Sequence, residues 1–250
     1  MTARGPIVHS WLGPVVMTLL VVFLVAMTLG AQAWKRDLRV VNIRTEGNRI
    51  VSTAEIIRLA DIQRNAKLFD VNLASVRQRL RQNHFIHVAS VNRNVPDGIT
   101  IAVVERLPVA ALLTDKLLFL DVEGTVLPPA RAEDAYDLPV ITGRVSPQEC
   151  VPGRIIAAEN VQEALHLLSI ARAMGEEVYG RISEVHMEDD RELLLYTSES
   201  GIPVLVGEGN LISKLVRFDE FWKQIVSQRG AQEVHSIDLR FEDQVVVRWK

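Results

Sequence analysis

The chain has a single cysteine, Cys150, among 250 residues. One thiol cannot form an internal disulfide, so the fold must be held by packing whatever its redox compartment. Its neighbours Val151 and Pro152 mark it as a loop thiol. No block of Lys and Arg is present and the formal charge is -3, so the simplest electrostatic footprint of a nucleic-acid binder is missing. The six histidines are scattered, and none stands in an H-E-x-x-H arrangement. His84 and His87 are three apart, but Phe85-Ile86 and Val88 read as a loop entering a strand, with no nearby Cys, Asp or Glu to complete a ligand set. Gly207-Glu208-Gly209 lacks both the third glycine and the Lys-Ser/Thr pair of a phosphate loop, which makes it a solvated turn. G-x-S-x-G, the nucleophile elbow, is absent. No enzymatic activity, cofactor or metal is therefore expected. A pocket lined by Ser183, His186 and Asp189 is the feature that would reopen an enzymatic reading.

What the chain does have is apolar residues: they make up 48% of it, against 24% charged, enough for one or two cores. Between His9 and Lys35 there is no charge, and Trp11-Leu12-Gly13-Pro14 leads into an unbroken apolar run from Val15 to Leu29. A helix with Pro14 in its first turn and reaching Ala33 is about 30 Å long at roughly 1.5 Å per residue, the thickness of a hydrocarbon core. Trp11 and Trp34 fall at its two ends, where an indole finds one apolar and one hydrogen-bonding side. Residues 14–34 are thus expected to span a membrane behind a short tail, residues 1–13. Two alternatives stand beside this. Ala31-Gln32-Ala33 resembles a signal-peptidase site, although the apolar run exceeds the usual h-region and the basic region before it is only Arg4 and the amino terminus. A buried core helix would also be apolar all round. Arg4 on one side faces Lys35, Arg36 and Arg39 on the other, a count that mildly favours a cytoplasmic C-terminal side, yet long domains translocate largely regardless of charge. Charge leaves the orientation open.

After Leu38 the pattern changes. Val41 and Ile43 alternate with polar residues before a turn at Gly47-Asn48, which predicts a strand. Ser52-Thr53-Ala54-Glu55 forms a capping box ahead of Ile56, Ile57, Leu59 and Ala60. Asn72 can cap a second helix to about Gln82, with Leu73, Val76 and Leu80 on one face and Arg77, Arg79 and Arg81 elsewhere. Two strands follow, at about residues 86–93 and 99–105, joined by Pro96-Asp97-Gly98. The order β-α-α-β-β is a two-layer α+β unit. Pro108 is a plausible boundary. Beyond it come short strands around Asp115-Lys116, a proline-rich connection crossed by an extended Leu138-Pro139-Val140-Ile141-Thr142-Gly143, and a helix opened by Asn160 and ended by Gly175. Strands near 182–187, 193–197 and 202–206, a helix over about 210–228 and two final strands complete a mixed sheet crossed by helices.

The last two strands carry the expected partner site. Ile237, Leu239 and Phe241 are expected on one side and Asp238, Arg240 and Glu242 on the other. After an Asp243-Gln244 turn, Val245, Val247 and Trp249 should share a face opposite Val246 and Arg248. If the outer edge is unpaired, its N–H and C=O groups are a template for another strand. A partner strand would draw affinity from backbone hydrogen bonds, with Phe241 and Trp249 as contacts and Arg240 offered to an acidic segment. The alternative is that Trp249 packs as core while Arg248 and Lys250 act as gatekeepers. Candidate partner-binding residues are Asp238, Arg240, Phe241, Gln244, Val245, Val247 and Trp249.

Several of these stretches resemble a known family. Val41-Asn42-Ile43 with Glu46-Gly47-Asn48, Leu68-Phe69-Asp70-Val71-Asn72, and His84-Phe85-Ile86 through Val91-Asn92-Arg93 resemble a POTRA domain, a polypeptide-docking module. Pro96-Asp97-Gly98-Ile99-Thr100-Ile101 and the exit Val104-Glu105-Arg106-Leu107-Pro108-Val109-Ala110 are similar to the POTRA of the FtsQ/DivIB family in particular. The run from Phe119 to Val126, Gly207-Glu208-Gly209-Asn210 before Lys214-Leu215-Val216-Arg217-Phe218, and Ile237-Asp238-Leu239-Arg240-Phe241 look like that family's β domain. Each motif is weak alone; their order is specific and covers nearly the whole chain. The resemblance implies a non-enzymatic, single-pass inner-membrane scaffold of the divisome that links early and late division proteins at the septum. Residues 1–13 would be cytoplasmic, 14–34 membrane-spanning, 38–106 a periplasmic POTRA domain and 107–250 a periplasmic β domain. It further implies coiled-coil partners of the FtsB and FtsL kind at the C-terminal region, and other divisome members on the POTRA side. The chain departs from the family in the brevity of the tail before its apolar segment and in ending directly after the last strand. Another POTRA-bearing transport or assembly factor is the rival reading, but an outer-membrane assembly factor would continue into many amphipathic strands. An uncleaved anchor makes a direct prediction: the intact mass of the purified protein includes residues 14–34, whereas a mature form beginning at Trp34 would identify a removed leader.

Overall fold

The computed structural model describes residues 12–129, 137–187 and 192–250. Trp11, expected as an interface anchor, and Asp189, named for a possible pocket, lie outside the described residues. The chain divides into two compact units, residues 1–105 and 106–250.

The first unit opens with α1 (Leu12–Asp37), 26 residues long, whose 13–35 stretch has a mean hydropathy of 2.4 and no buried share. A helix exposed all round and apolar all round has a solvent other than water, which suits membrane anchoring. Pro14 stands in its first turn, and Thr18 and Thr28 return their hydroxyl protons to the Pro14 and Val25 carbonyls at 2.8 Å each, so neither hydroxyl is left unpaired in the apolar stretch. The helix runs four residues past Ala33, because leaving the apolar layer does not interrupt its backbone ladder.

Three strands and two helices follow: β1 (Asn42–Glu46), α2 (Thr53–Ala60), α3 (Leu73–Leu80), β2 (Ile86–Asn94) and β3 (Gly98–Glu105). The sheet order is β1-β3-β2, with β1 parallel and β2 antiparallel to β3. Ser52 Oγ accepts from the Glu55 amide, and Asn72 Oδ1 accepts from those of Ala74 and Ser75, so both helices begin where their capping residues stand. Their buried faces, Ile56 and Ala60 with Val76 and Leu80, join Ile99 and Ile101 in one core. The expected alternation is corrected at its first residue: Val41 is 71% exposed and Val40, at 4%, is the core residue. Val40 pairs with the 65–66 backbone and not with the sheet, so β1 starts only at Asn42. Gly47, at φ +82°, lets the backbone press on β3; a Cβ there would stand 2.2 Å from the Val103 carbonyl oxygen. The last residue of β3 closes the same loop, since the Glu105 carboxylate accepts the amide protons of Arg49, Ile50 and Val51 at 2.8 Å each.

The second unit is a nine-stranded mixed sheet in the order β12-β11-β10-β9-β8-β7-β4-β5-β6. Its strands are β4 (Ala110–Leu113), β5 (Leu117–Leu120), β6 (Val126–Leu127), β7 (Val140–Gly143), β8 (Ile182–Met187), β9 (Leu193–Thr197), β10 (Pro203–Leu205), β11 (Val234–Asp238) and β12 (Val246–Trp249). Helices α4 (Glu159–Met174), α5 (Glu176–Gly180) and α6 (Leu211–Phe221) bury Leu165, Leu168, Val178, Leu215 and Phe218 in the core that the sheet supplies. Two expectations are corrected. Asn160 does not precede α4 but sits inside it: its Oδ1 takes the Val161 amide and its Nδ2 reaches the Arg144 carbonyl, so it ties the helix start to a loop. The helix over 210–228 is not uniform, because Trp222–Val226 is π-helical.

Two largely buried carboxylates, Asp121 and Asp219, are paired with arginines. Asp121 accepts the amides of Glu123 and Thr125 and a hydrogen bond from Arg106. Arg181 joins Asp219 at 2.6 Å while lying over the Trp222 ring. Burial alone would raise the Asp219 carboxyl, but hydrogen bonds from Lys223 and Arg181 outweigh it and hold the group below its ordinary 3.8.

Two predictions follow from these pairings. Glu105→Ala leaves three amides without their acceptor and should cost about 2 kcal/mol of stability in chemical denaturation, with Glu105→Gln costing less. For Asp219 the folded value lies below the unfolded one, so its contribution is complete above about pH 5 and is lost as pH falls through 4 and below. Asp219→Asn should therefore destabilise at pH 7 yet show a shallower loss between pH 4 and pH 3, read from denaturation midpoints at the three pH values.

Candidate partner-binding edge

An open sheet ends in two edge strands. At one end β6 is covered by the chain itself: Val126 exchanges hydrogen bonds with Gly153 and Arg154 at 2.7 and 2.8 Å, and Thr125 bridges Ile155. At the other end β12 pairs with β11 and has no strand on its outer side among the described residues.

The hairpin that makes this edge is built from short-range and long-range contacts together. Val234 faces Trp249, Ser236 faces Arg248, and Asp238 faces Val246, with a bulge at His235. A bulge bends and twists a strand locally, and this one lies in β11 opposite the end of β12. Val245 and Val247 are half-buried against the main core. Val246, at 43%, and Trp249, at 38%, are exposed, and the Arg229 guanidinium lies 4.9 Å from the Trp249 ring centre. That contact keeps a tryptophan at the rim without burying it.

Phe241 is not where periodicity puts it. β11 ends at Asp238, Leu239 is still buried, and the chain bends at 241–243, with Asp243 at φ +56°. Phe241 is consequently 47% exposed in the bend and does not share a strand face with Ile237 and Leu239. Its carbonyl and that of Gln244 accept from the Arg217 guanidinium at 2.7 and 3.2 Å, so a residue of α6 holds both sides of the bend.

Arg240 is engaged within the molecule. It grips Asp238 through Nε and Nη2, at 3.1 and 2.8 Å, and reaches Glu192 at 3.3 Å. These side-chain hydrogen bonds hold Asp238 below the usual carboxylate range and raise Arg240. Gly207, at φ +64°, makes room for the arginine stem, since a Cβ there would meet Arg240 Cγ at 2.8 Å. Beside them Lys214 is buried and donates to the Glu208 carbonyl at 2.6 Å; burial, with Arg217 adding to it, pushes the amine down. The edge thus brings together Phe241, Val246 and Trp249 as exposed apolar groups, while Asp238, Arg240, Val245 and Val247 shape it from within.

Arg217, Gly207 and Arg229 were not among the expected site residues. Lys214 and Arg217 have a helical spacing of three, but nothing local says that one turns inward and the other crosses to a bend 24 residues away. Elsewhere, His84 lies in the turn before β2 and His87 within β2. His186 Nδ1 is 2.7 Å from the Thr142 hydroxyl and Ser183 donates to the Tyr196 carbonyl. Among the described residues no three His, Cys, Asp or Glu side chains are grouped as a metal would need.

Residues 38–106 match the family model of the FtsQ-type POTRA domain, and residues 111–240 match that of the cell division protein FtsQ/DivIB C-terminal region. The second match stops just before the bend and β12. The cell division protein FtsQ of Rhodothermus marinus is 31% identical over 99% of this chain and 92% of its own length. That of Syntrophotalea carbinolica is 31% identical over 84% of this chain and 73% of its length, and that of Anaeromyxobacter sp. is 32% identical over 89% and 76%. The order of POTRA unit and mixed-sheet unit agrees with the two matches. The chain belongs to the FtsQ/DivIB family of cell division proteins.

Proposed function

We propose that the protein works in the divisome as a non-enzymatic scaffold of the inner membrane, linking early and late division proteins at the septum. Residues 1–13 face the cytoplasm, residues 14–34 cross the bilayer, and a POTRA domain at 38–106 and a β domain at 107–250 are periplasmic. The β12 edge receives an added strand from a coiled-coil partner of the FtsB or FtsL kind, and the POTRA unit docks other divisome members.

One observation carries the proposal. Among the described residues the sheet covers its β6 edge with its own chain and leaves β12 open, and an open edge flanked by exposed Phe241, Val246 and Trp249 has the form of a strand-addition site. Backbone pairing supplies affinity there, and the aromatic groups at the bend and the rim supply discrimination. Val245 and Val247 hold the strand on the core. Asp238 and Gln244 set its start, the latter through its carbonyl on Arg217. Arg240 can meet an acidic partner segment only by sharing a guanidinium that Asp238 and Glu192 already engage, so its contribution is steering and not a new buried pair.

Phe241→Ala and Trp249→Ala should each weaken binding of an FtsB-like periplasmic segment by about 2 kcal/mol, roughly thirtyfold in Kd. The thermal midpoint should change little, because both rings are largely outside the core. Titration calorimetry and thermal unfolding on the same samples check this. Unchanged binding, or loss that appears only with unfolding, would remove support for the edge.

A further inference from the structure

The chain leaves α1 at Asp37 and is bound at once to a second loop. The Leu38 carbonyl accepts from Leu68 at 2.8 Å, Val40 donates to the Ala66 carbonyl at 2.9 Å, and the Val40 carbonyl accepts from Asn65 at 3.2 Å. Arg39 and Lys67 stand opposite each other as an antiparallel bridge. The apolar span ends at Lys35, four residues before Arg39, a reach of at most about 13 Å at roughly 3.3 Å per residue. Whatever the tilt of the helix, the 63–70 loop is therefore tethered close to the headgroup layer.

The loop is braced to stay there. The Arg93 guanidinium donates to the carbonyls of Leu68, Phe69 and Val71 at 2.9, 3.2 and 2.7 Å, and Arg39 donates to that of Asn65 at 3.0 Å. These two arginines are used in bracing. Arg64 and Lys67 are exposed, and neither pairs with a carboxylate among the described residues. Phe69 is 39% exposed, with Lys35 Nζ 5.6 Å and Arg93 Cζ 5.5 Å from its ring centre. Against these cations stand Asp37, Asp61 and Asp70, so positive charge prevails. A rigid loop holding a half-exposed aromatic among cations, at the end of a membrane span, has the composition of an interface contact. Anionic lipids attract basic side chains within a Debye length, about 8–10 Å in ordinary salt.

We infer that the 63–70 loop is a membrane-surface contact selective for anionic phospholipid headgroups, with Lys35, Arg64 and Lys67 around the phosphate and Phe69 seated at the interface. This fixes the standoff of the POTRA unit from the bilayer, and it holds whether or not β12 takes a partner strand.

The test uses the full chain in nanodiscs whose lipids carry brominated acyl chains. Trp34→Phe supplies the background, and Phe69→Trp within it places an indole in the loop. Quenching of that indole, taken as the difference from the background protein, should rise about twofold or more when phosphatidylglycerol is added to phosphatidylcholine. Arg64→Gln with Lys67→Gln should return it to the phosphatidylcholine value. Unchanged emission of the charge-removed variant in detergent shows that the loop is still folded. Equal quenching in the two lipid compositions, or a phosphatidylglycerol gain that survives removal of both charges, overturns the inference.

Discussion

Backbone hydrogen bonds at the last strand of a sheet have to go somewhere, and the second unit meets that requirement differently at its two ends. The 153–156 segment satisfies β6. β12 is satisfied on one side only among the described residues. Everything distinctive about the C-terminal region is organised around that asymmetry. The valines that face inward keep the strand on the core, the bulge at His235 twists its end, and Arg217 holds the bend that launches it. Among the described residues this well-supported edge strand has no neighbour on its outer side.

The two units use carboxylates in the same structural manner. Glu105 gathers three amides of the loop after β1, and Asp121 gathers two amides of the turn before β6 together with Arg106. In each case a loop too short for regular structure has its donors satisfied by one side chain. Such loops are ordered without a large apolar contribution, which suits small units whose cores are limited.

Much of this was legible in the sequence, and the reasons differ by feature. Ser52 and Asn72 act on amides two or three residues away, so their capping roles can be read locally. The apolar span needs only length and composition. Three of the misses involve partners outside the local stretch. Val40 displaces Val41 from the core because it pairs with the 65–66 backbone, 25 or more residues on. Asn160 answers to Arg144 and not to its own helix end. Phe241 leaves the strand pattern because Arg217 and the left-handed Asp243 bend the chain. At the partner edge, the apolar residues and the strand order were visible as a pattern. The intramolecular engagement of Arg240, and the glycine that permits it, were not.

The π-helical turn at Trp222–Val226 gives the rim of the sheet a dependence on chain length. A π-turn holds one more residue than the α-turn it replaces, and each residue of an α-helix advances about 100° around the axis. Everything after the turn is thus set about one residue out of phase with α6, including Arg229, whose guanidinium covers the Trp249 ring. The inserted residue acts as a phase shifter: it sets the azimuth of the helix end without altering any side chain that touches the rim. Relatives lacking the extra residue would need a different group to cover the same indole, even with every nearby side chain unchanged.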